Sequence, residues 1–172
     1  MIQHFIKSGL VTILPNHLCK RSYRRKQIME ITQLKESNLF EIKPLWEQLN
    51  ELHKQRSYNF KDYYARFTFE ERMKSIHEKE SFAVFIAKHD EEIVGYTIVS
   101  CEKDLGEIDS IFIIPKLRNS GLGKELIEKA EEWLSEQNAK RTVISVADGN
   151  EAVLPFYQSL GYLPRLTILE KT

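Results

Sequence analysis

The chain has 172 residues, of which 42% are hydrophobic and 10% aromatic, and this composition predicts one globular domain with a substantial core. The formal net charge is zero, so the chain as a whole gives no indication of nucleic-acid binding. Cys19 and Cys101 form no zinc pattern, and no apolar run has the length of a membrane span. No metal, no membrane contact and a cytoplasmic location are therefore expected.

The first 28 residues differ in charge from the rest of the chain. They contain six basic residues and no acid, which leaves 19 basic and 25 acidic residues in 29–172. The segment is interpreted as a basic extension of unassigned role, with the working domain beginning at Met29. A transit peptide, or a basic arm for nucleic acid or anionic lipid, remains an alternative.

The first half of the domain predicts one strand and two helices. Pro44 lies either in the first turn of the first helix or at a break that divides it. Thr68 and Glu71 form the pattern of a capping box, which predicts the start of the second helix. The predicted elements are a strand at 29–34, helices at 38–56 and 69–79, and an aromatic loop at 57–67.

The second half predicts a meander of three strands followed by helix, strand, helix and a final strand region. Leu122, Leu126 and Ala130 belong to an apolar stripe along the first of these helices. Gly161 is typical of a residue that ends a helix. The predicted elements are strands at 82–88, 93–102, 107–114 and 141–146, a helix over 122–134, a short helix ending at 161, and one or two strands within 162–171.

This order predicts an α/β (α+β) fold with a mixed, mostly antiparallel central sheet of six to seven strands flanked by helices. The helix over 122–134 connects strands 107–114 and 141–146, which are therefore expected to be parallel. Ligands of such sheets bind beyond the carboxyl ends of the strands. The loop that follows residue 114 lies at that edge.

The loop from Arg118 to Gly123 has the pattern RxxGxG between a strand and a helix. The start of a helix carries unpaired N–H groups and partial positive charge, and glycine lets an anion approach the backbone closely. The simpler interpretation is a tight turn alone. A Walker A motif fails because Arg118 and Glu125 occupy its glycine and Ser/Thr positions, and the dinucleotide pattern GxGxxG fails at Leu126.

Together with the downstream segment NEAVLPFYQSLGY at 150–162, this pattern resembles the GCN5-related N-acetyltransferase (GNAT) family. The resemblance covers 29–172 in element order, and Val153 departs from the alanine usual in the family. It implies the acyl-CoA N-acyltransferase fold, with acetyl-CoA as cosubstrate and no metal. The residues that it assigns to acetyl-CoA binding are Ile111, Ile113, Arg118, Asn119, Ser120, Gly121, Leu122, Gly123, Lys124 and Asn150.

The family division of labour implies a role for each part of this set. The CoA pyrophosphate would lie on the amides of 118–123 with Lys124 nearby, and pantetheine would pair with the main chain of Ile111 and Ile113. Asn150 is a partner of pantetheine, the N-cap of the last helix, or both.

Acetyl transfer to an amine needs a base for the amine and an acid for the departing thiol. Glu107, eleven residues before Arg118, matches the position of a glutamate that several family members use as base, and here it would act through water. Period two places Glu107 and Asp109 on one strand face with Ile111 and Ile113. Asp109 is the alternative base, and the alternative for Glu107 is a solvated residue at the sheet rim.

The family register implies that the acid is Tyr157, for which core packing is the alternative. The expected acceptor is an amine-bearing small molecule or a peptide, facing an aromatic loop at 57–67 that equally fits hinge packing. A non-catalytic acyl-CoA-binding module is the rival function, nucleic-acid binding through 1–28 is a distant third, and a homodimer is compatible with the sequence.

Overall fold

The computed structural model describes residues 29–171, so the predicted extension at 1–28 lies outside the described residues. The strands are β1 (Met29–Gln33), β2 (Ser81–His89), β3 (Glu92–Glu102), β4 (Leu105–Ile113) and β5 (Arg141–Ile144). The α-helices are α1 (Lys43–Arg56), α2 (Lys61–Arg66), α3 (Phe69–His77), α4 (Leu122–Glu136) and α5 (Leu154–Ser159).

The five strands form one mixed sheet in the order β1-β2-β3-β4-β5. Neighbours pair antiparallel except β4 and β5, which pair in parallel, as the helical crossover between them predicted. The mixed, mostly antiparallel architecture flanked by helices is therefore confirmed. The sheet has five strands among the described residues, which is slightly fewer than the six to seven expected.

The missing strand region is the segment after Gly161, where the prediction of one or two strands is wrong for the described residues. The segment 163–171 has no strand assignment. Four of its side chains are 78% to 92% exposed: Leu163, Leu166, Ile168 and Leu169. The apolar residues of this segment favour a strand, but a strand forms only where a neighbouring backbone supplies ladder hydrogen bonds.

The N-terminal helical region is more divided than the sequence indicated. A 3-10 helix at Glu36–Ile42 precedes α1, and Pro44 occupies the first turn of α1, where the lack of an N–H costs nothing. The aromatic loop contains the short helix α2. The capping box at the start of α3 is confirmed: Thr68 and Glu71 each bond the backbone of the other.

The core has two layers, one on each face of the sheet. On one face, α1 and α3 pack against β2, β3 and β4 around Ile42, Ile76 and Ile98. On the other face, α4 packs through Leu126, Ala130 and neighbouring apolar residues, as its stripe predicted. The free Cys101 is buried in this second layer. No helix within 29–171 is both long and apolar enough to cross a membrane.

Candidate active site

A slot opens between β4 and β5 at the edge where the glycine turn lies. The two strands pair from Leu105 and Arg141 only as far as Ile108 and Ile144. Beyond Ile108, β4 continues to Ile113 without β5 alongside it. One edge of this half of β4 is therefore available to another extended chain.

The hydrogen-bond pattern of β4 shows which residues direct their main chain into this slot. The N–H of Ile114 donates to the carbonyl of Val94 in β3 at 3.0 Å. Because antiparallel pairs alternate between bonded and non-bonded positions, Phe112 also turns its backbone toward β3. Ile111 and Ile113 turn theirs away from β3 and into the slot. This is the arrangement that the predicted pantetheine pairing requires.

The glycine turn follows β4 and begins α4. Asn119 and Gly121 have positive φ angles of 60° and 95°, and Gly121 caps the helix. A Cβ on Gly121 would meet nothing within 4 Å, so the space above it is open. A Cβ on Gly123 would lie 3.2 Å from the ring of Phe156. The residues present thus fit a cradle for the CoA pyrophosphate, because bare backbone and a helix start face open space.

Arg118 and Lys124, the two basic residues of the turn, both contact other residues of the protein. The Nε of Arg118 donates to the carbonyl of Ile113 at 3.2 Å, and its guanidinium lies 5.6 Å from the centre of the Phe112 ring. Lys124 pairs with Glu128 at 3.6 Å on the exposed face of α4. Arg118 thus lies back along the end of β4, where it contacts a carbonyl that pantetheine is predicted to use.

A β-bulge at Asp109 overturns the predicted arrangement of the β4 side chains. Ile98 of β3 pairs with Ser110 and Val99 with Ile108, so Asp109 has no partner in β3. A bulge residue shifts the alternation of every residue beyond it. Glu107 and Asp109 therefore face α3, whereas Ile111 and Ile113 pack in the α4 layer. The prediction that all four side chains share one face is wrong.

Glu107 lies on the α3 face, beside the start of the slot. The hydroxyl of Ser145, the first residue after β5, donates to its Oε1 at 3.3 Å, and Lys79 Nζ lies 3.8 Å from its Oε2. Its side chain is 29% exposed, so solvent reaches the carboxylate. A group that exchanges protons through water needs such access.

The other carboxylate, Asp109, is buried beneath α3. Its side chain is 3% exposed and pairs with Arg72 at 3.5 Å, while its Oδ2 has no hydrogen-bond partner among the described residues. Burial raises the pKa of Asp109, whereas hydrogen bonding to Ser100 and, to a smaller extent, the guanidinium of Arg72 act in the opposite direction. Its place under α3 makes it less accessible to water than Glu107.

Tyr157 lies on α5 and packs against the α4 layer, on the opposite side of the sheet from Glu107. Its ring lies 5.2 Å from that of Phe156 and 6.3 Å from that of Tyr162. Burial raises the pKa of the Tyr157 hydroxyl, which keeps it protonated at neutral pH. The two candidate proton-transfer groups are thus separated by the sheet.

Asn150 makes no side-chain cap hydrogen bond at the start of the last helical segment, so the predicted N-cap contact is absent from the described structure. Its Oδ1 accepts a hydrogen bond from Arg56 at 2.8 Å instead. The neighbouring Asp148 accepts from the Ser57 hydroxyl and from the N–H groups of Tyr58 and Asn59. The loop after α1 is therefore fastened to the loop after β5.

Three aromatic residues of 57–67, Tyr63, Tyr64 and Phe67, pack with one another. Tyr63 stacks on Phe67 at 5.2 Å, and Phe67 contacts Trp46 of α1. A surface cavity of about 310 Å³ lies beside them, and all of its lining residues come from 46–70. No residue of β4, β5 or the glycine turn lines this cavity, so it is separate from the slot.

Three features of the site gave no recognisable signal in the sequence. Arg72 belongs to a helix whose charged residues are typical of a solvated face. Ser145 lies within the predicted strand 141–146, and Asp148 lies between that strand and the short helix that follows it. Their partners are 37 to 91 residues away, and only the folded chain brings them together. Within 29–171, no cluster of three or more His, Cys, Asp or Glu residues is arranged to hold a metal ion.

Comparison with known proteins identifies the family of this chain. The chain matches the family model "Acetyltransferase (GNAT) family" over residues 42–162. YhfO of Bacillus subtilis, named an uncharacterised N-acetyltransferase, is 25% identical over 140 residues, or 78% of this chain and 89% of that protein. An uncharacterised N-acetyltransferase of Archaeoglobus fulgidus is 33% identical over 90 residues, or 47% of this chain, and the match spans 60% of that relative, less than two thirds of its length.

Solved structures give the same result for the fold. A Pyrococcus furiosus protein to which acetyl transferase activity is ascribed is 26% identical, with a TM-score of 0.70 over 84% of this chain and 99% of its own. The aminoglycoside N-acetyltransferase AAC(6')-Iy in complex with CoA is 20% identical, with a TM-score of 0.65 over 87% and 97%. The chain belongs to the GNAT acetyltransferase family.

Proposed function

We propose that this protein transfers an acetyl group from acetyl-CoA to a primary amine, by direct attack within a ternary complex. The observation that carries the proposal is the slot beyond Ile108. An open strand edge leads there to a glycine turn, with a carboxylate on one face of the sheet and a protonated tyrosine on the other. A cytoplasmic location, as expected from the sequence, stays a prediction.

The binding part of the proposal rests on backbone geometry. Ile113 offers its N–H and carbonyl, and Ile111 its carbonyl, to the amides of pantetheine, and the start of α4 offers N–H groups to the pyrophosphate. Arg118 leaves the carbonyl of Ile113 when that carbonyl pairs with the ligand, and its charge is then available to a phosphate. Acetyl-CoA, when bound, supplies an activated thioester.

The chemical part rests on the placement of proton-transfer groups. Glu107 accepts a proton from the attacking amine through a water molecule, and the Ser145 hydroxyl fixes the orientation of its carboxylate. The N–H of Ile111 donates to the thioester oxygen as that oxygen gains charge. The hydroxyl of Tyr157 donates a proton to the sulfur. Because Glu107 and Tyr157 lie on opposite faces of the sheet, the amine loses its proton on one face and the thiolate gains its proton from the other.

The proposed acceptor is an amine on a small molecule or on a peptide. Nucleic acid and membrane are not proposed as partners, and a homodimer stays a prediction. Residues 29–171 include more acidic than basic side chains, which favours a cationic acceptor without selecting one. The aminoglycoside acetyltransferases among the structural neighbours are about one fifth identical to this chain and support the fold alone.

The deciding experiment is a screen of amines with acetyl-CoA that follows release of the free thiol. Polyamines, aminoglycosides and lysine peptides cover the cationic classes, and a reaction without amine measures background hydrolysis. Amine-dependent thiol release supports the proposal. Tight CoA binding without thiol release from any amine would support the non-catalytic acyl-CoA-binding module instead, and absence of CoA binding would overturn both.

A further inference from the structure

Arg72 joins helix α3 to the bulge of β4. Its Nη2 donates to the backbone carbonyl of Asp109 at 2.5 Å and lies 3.5 Å from the Oδ1 of the same residue. The arginine side chain is 20% exposed and the aspartate side chain 3%. A single guanidinium therefore contacts both the main chain and the side chain of the bulge residue, at a position with little exposure to solvent.

The helix that carries Arg72 is firmly placed. The capping box of Thr68 and Glu71 fixes the first turn of α3, and Phe69, Met73 and Ile76 are buried in the layer beneath it. The hydroxyl of Ser75 also donates to the carbonyl of Arg72 at 2.8 Å. Arg72 is thus a fixed support, and the bulge is the part that it constrains.

The bulge residue needs this contact because it has left the strand ladder. Asp109 has no partner in β3, since the pairing passes from Ser110 to Ile108. A buried carbonyl without a donor is costly, so a bulge of this kind is retained only where another group satisfies it. Among the described residues, Arg72 is the side chain that donates to the Asp109 carbonyl.

The bulge also decides which main-chain groups enter the slot. Val94 accepts from Ile114, so residues 110, 112 and 114 direct their backbone toward β3. Without the extra residue the pairing would shift by one position, and Ile111 would then turn its N–H toward β3. The extra residue at 109 is therefore the reason that the N–H of Ile111 faces the slot.

We propose that Arg72 is a positioning residue, which holds the bulge at Asp109 and thereby directs the Ile111 N–H at the thioester oxygen. The inference rests on the proposed function, because the N–H has a catalytic use only if a thioester lies in the slot. Arg72 itself contacts neither substrate. Its removal affects polarisation of the thioester carbonyl, and it leaves the pyrophosphate site on α4 intact.

The test compares CoA, which lacks the acetyl carbonyl, with acetyl-CoA. Isotope-edited infrared difference spectra of acetyl-CoA carrying ¹³C at the carbonyl report the hydrogen bond to the oxygen directly. In the wild type the bound carbonyl band is expected below its position in free acetyl-CoA. In Arg72→Met the band is expected to return toward the free position, and turnover is expected to fall by about 10². Calorimetry with CoA measures how much of this loss comes from weaker pairing of pantetheine with the main chain of Ile111 and Ile113.

Two further variants complete the design. Lys43→Met is the matched control, because Lys43 also contacts α3, through Glu70 at 2.6 Å, but does not reach β4. Its carbonyl band is expected to stay at the wild-type position. Arg72→Met leaves the buried carboxylate without its counter-ion, which can prevent folding. The double variant Arg72→Met with Asp109→Asn removes both charges, and the carbonyl of residue 109 still lacks its donor.

The outcomes separate this inference from the proposed function. A shifted carbonyl band in wild type and Lys43→Met, but not in the folded Arg72 variants, supports the positioning role. The same shifted band in either folded Arg72 variant would overturn the inference and leave the proposed function intact. A wild-type protein that binds no acetyl-CoA would overturn the proposed function, and the inference with it.

Discussion

The carboxylate of Asp148 accepts a hydrogen bond from the Ser57 hydroxyl at 2.8 Å, which joins the end of α1 to the loop after β5. Two backbone N–H groups, of Tyr58 and Asn59, donate to the same oxygen. The ionised aspartate thus accepts hydrogen bonds from backbone N–H groups between α1 and α2 that have no helical partner.

This contact predicts a pH-dependent stability difference between the wild type and Asp148→Asn. Hydrogen bonds from Asn59 and Ser57 hold the pKa of Asp148 below its ordinary value of 3.8. A lowered pKa in the folded state contributes stability that is fully present above pH 3.8 and is lost as pH falls through the folded pKa. The wild type is therefore expected to melt at a higher temperature at pH 7, with the difference shrinking below pH 4. An equal difference at both pH values in thermal melts would contradict this role.

Substitution of Gly121 by aspartate is expected to weaken CoA binding at least tenfold. The new carboxylate would occupy the open space above the turn and repel the pyrophosphate by about 1 to 4 kcal/mol at 4 Å. Calorimetric titration with CoA measures the effect. Gly161→Asp is a matched control, because Gly161 also has a positive φ, of 92°, and no atom within 4 Å of its Cβ position. Equal CoA affinity in the two variants would show that the turn is not part of the CoA-binding site.

Removal of the Tyr157 hydroxyl is expected to slow turnover by about 10² to 10⁴, which is the usual effect of losing a general acid. Tyr157→Phe keeps the buried ring, so acetyl-CoA affinity is expected to change little, and the loss should appear in kcat. Tyr162→Phe is the control: its hydroxyl donates to Glu131 at 2.7 Å on α4. Near-wild-type turnover of Tyr157→Phe across pH 6 to 9 would show that Tyr157 is not the acid and only packs in the core.

Neutralisation of Glu107 tests the proposed base. Glu107→Gln keeps a side chain able to contact Ser145 but cannot accept the proton, so kcat is expected to fall by about 10² or more at neutral pH. Glu102→Gln is a suitable control, because Glu102 also contacts Lys79, at 3.5 Å, from the end of β3. Steady-state kinetics of both variants distinguish loss of a base from loss of surface charge. If Glu107→Gln is as active as Glu102→Gln, another group acts as the base, and Asp109 becomes the next candidate.

The basic segment 1–28 is expected to be dispensable for acetyl-CoA binding. Its charge differs from that of the rest of the chain, and the family match begins at residue 42. A protein that begins at Met29 should unfold cooperatively in a thermal melt and bind acetyl-CoA within about twofold of the full chain, well under the tenfold that corresponds to 1.4 kcal/mol. A folded, shortened protein without acetyl-CoA binding would assign the segment to the site.

The sequence alone determined the features that depend on neighbours along the chain. The capping box of Thr68 and Glu71, the apolar stripe of α4 and the glycine turn at 118–123 each lie within one short stretch of the chain. Backbone sterics and cap hydrogen bonds act at that range, so local residue types suffice to predict them. The parallel relation of β4 and β5 followed as well, because a single helix connects them.

Only the tertiary structure decided the features that depend on distant partners. The bulge at Asp109 reversed the faces predicted for Ile111 and Ile113, because pairing with β3 and the guanidinium of Arg72 hold an extra residue that no period-two pattern reveals. The same limit explains why the apolar residues of 163–171 predicted a strand that the structure does not assign there. The periodicity of a sequence indicates which side chains prefer burial. The hydrogen bonds between strands and the buried ion pair of Arg72 and Asp109 depend on residues that are distant in the sequence.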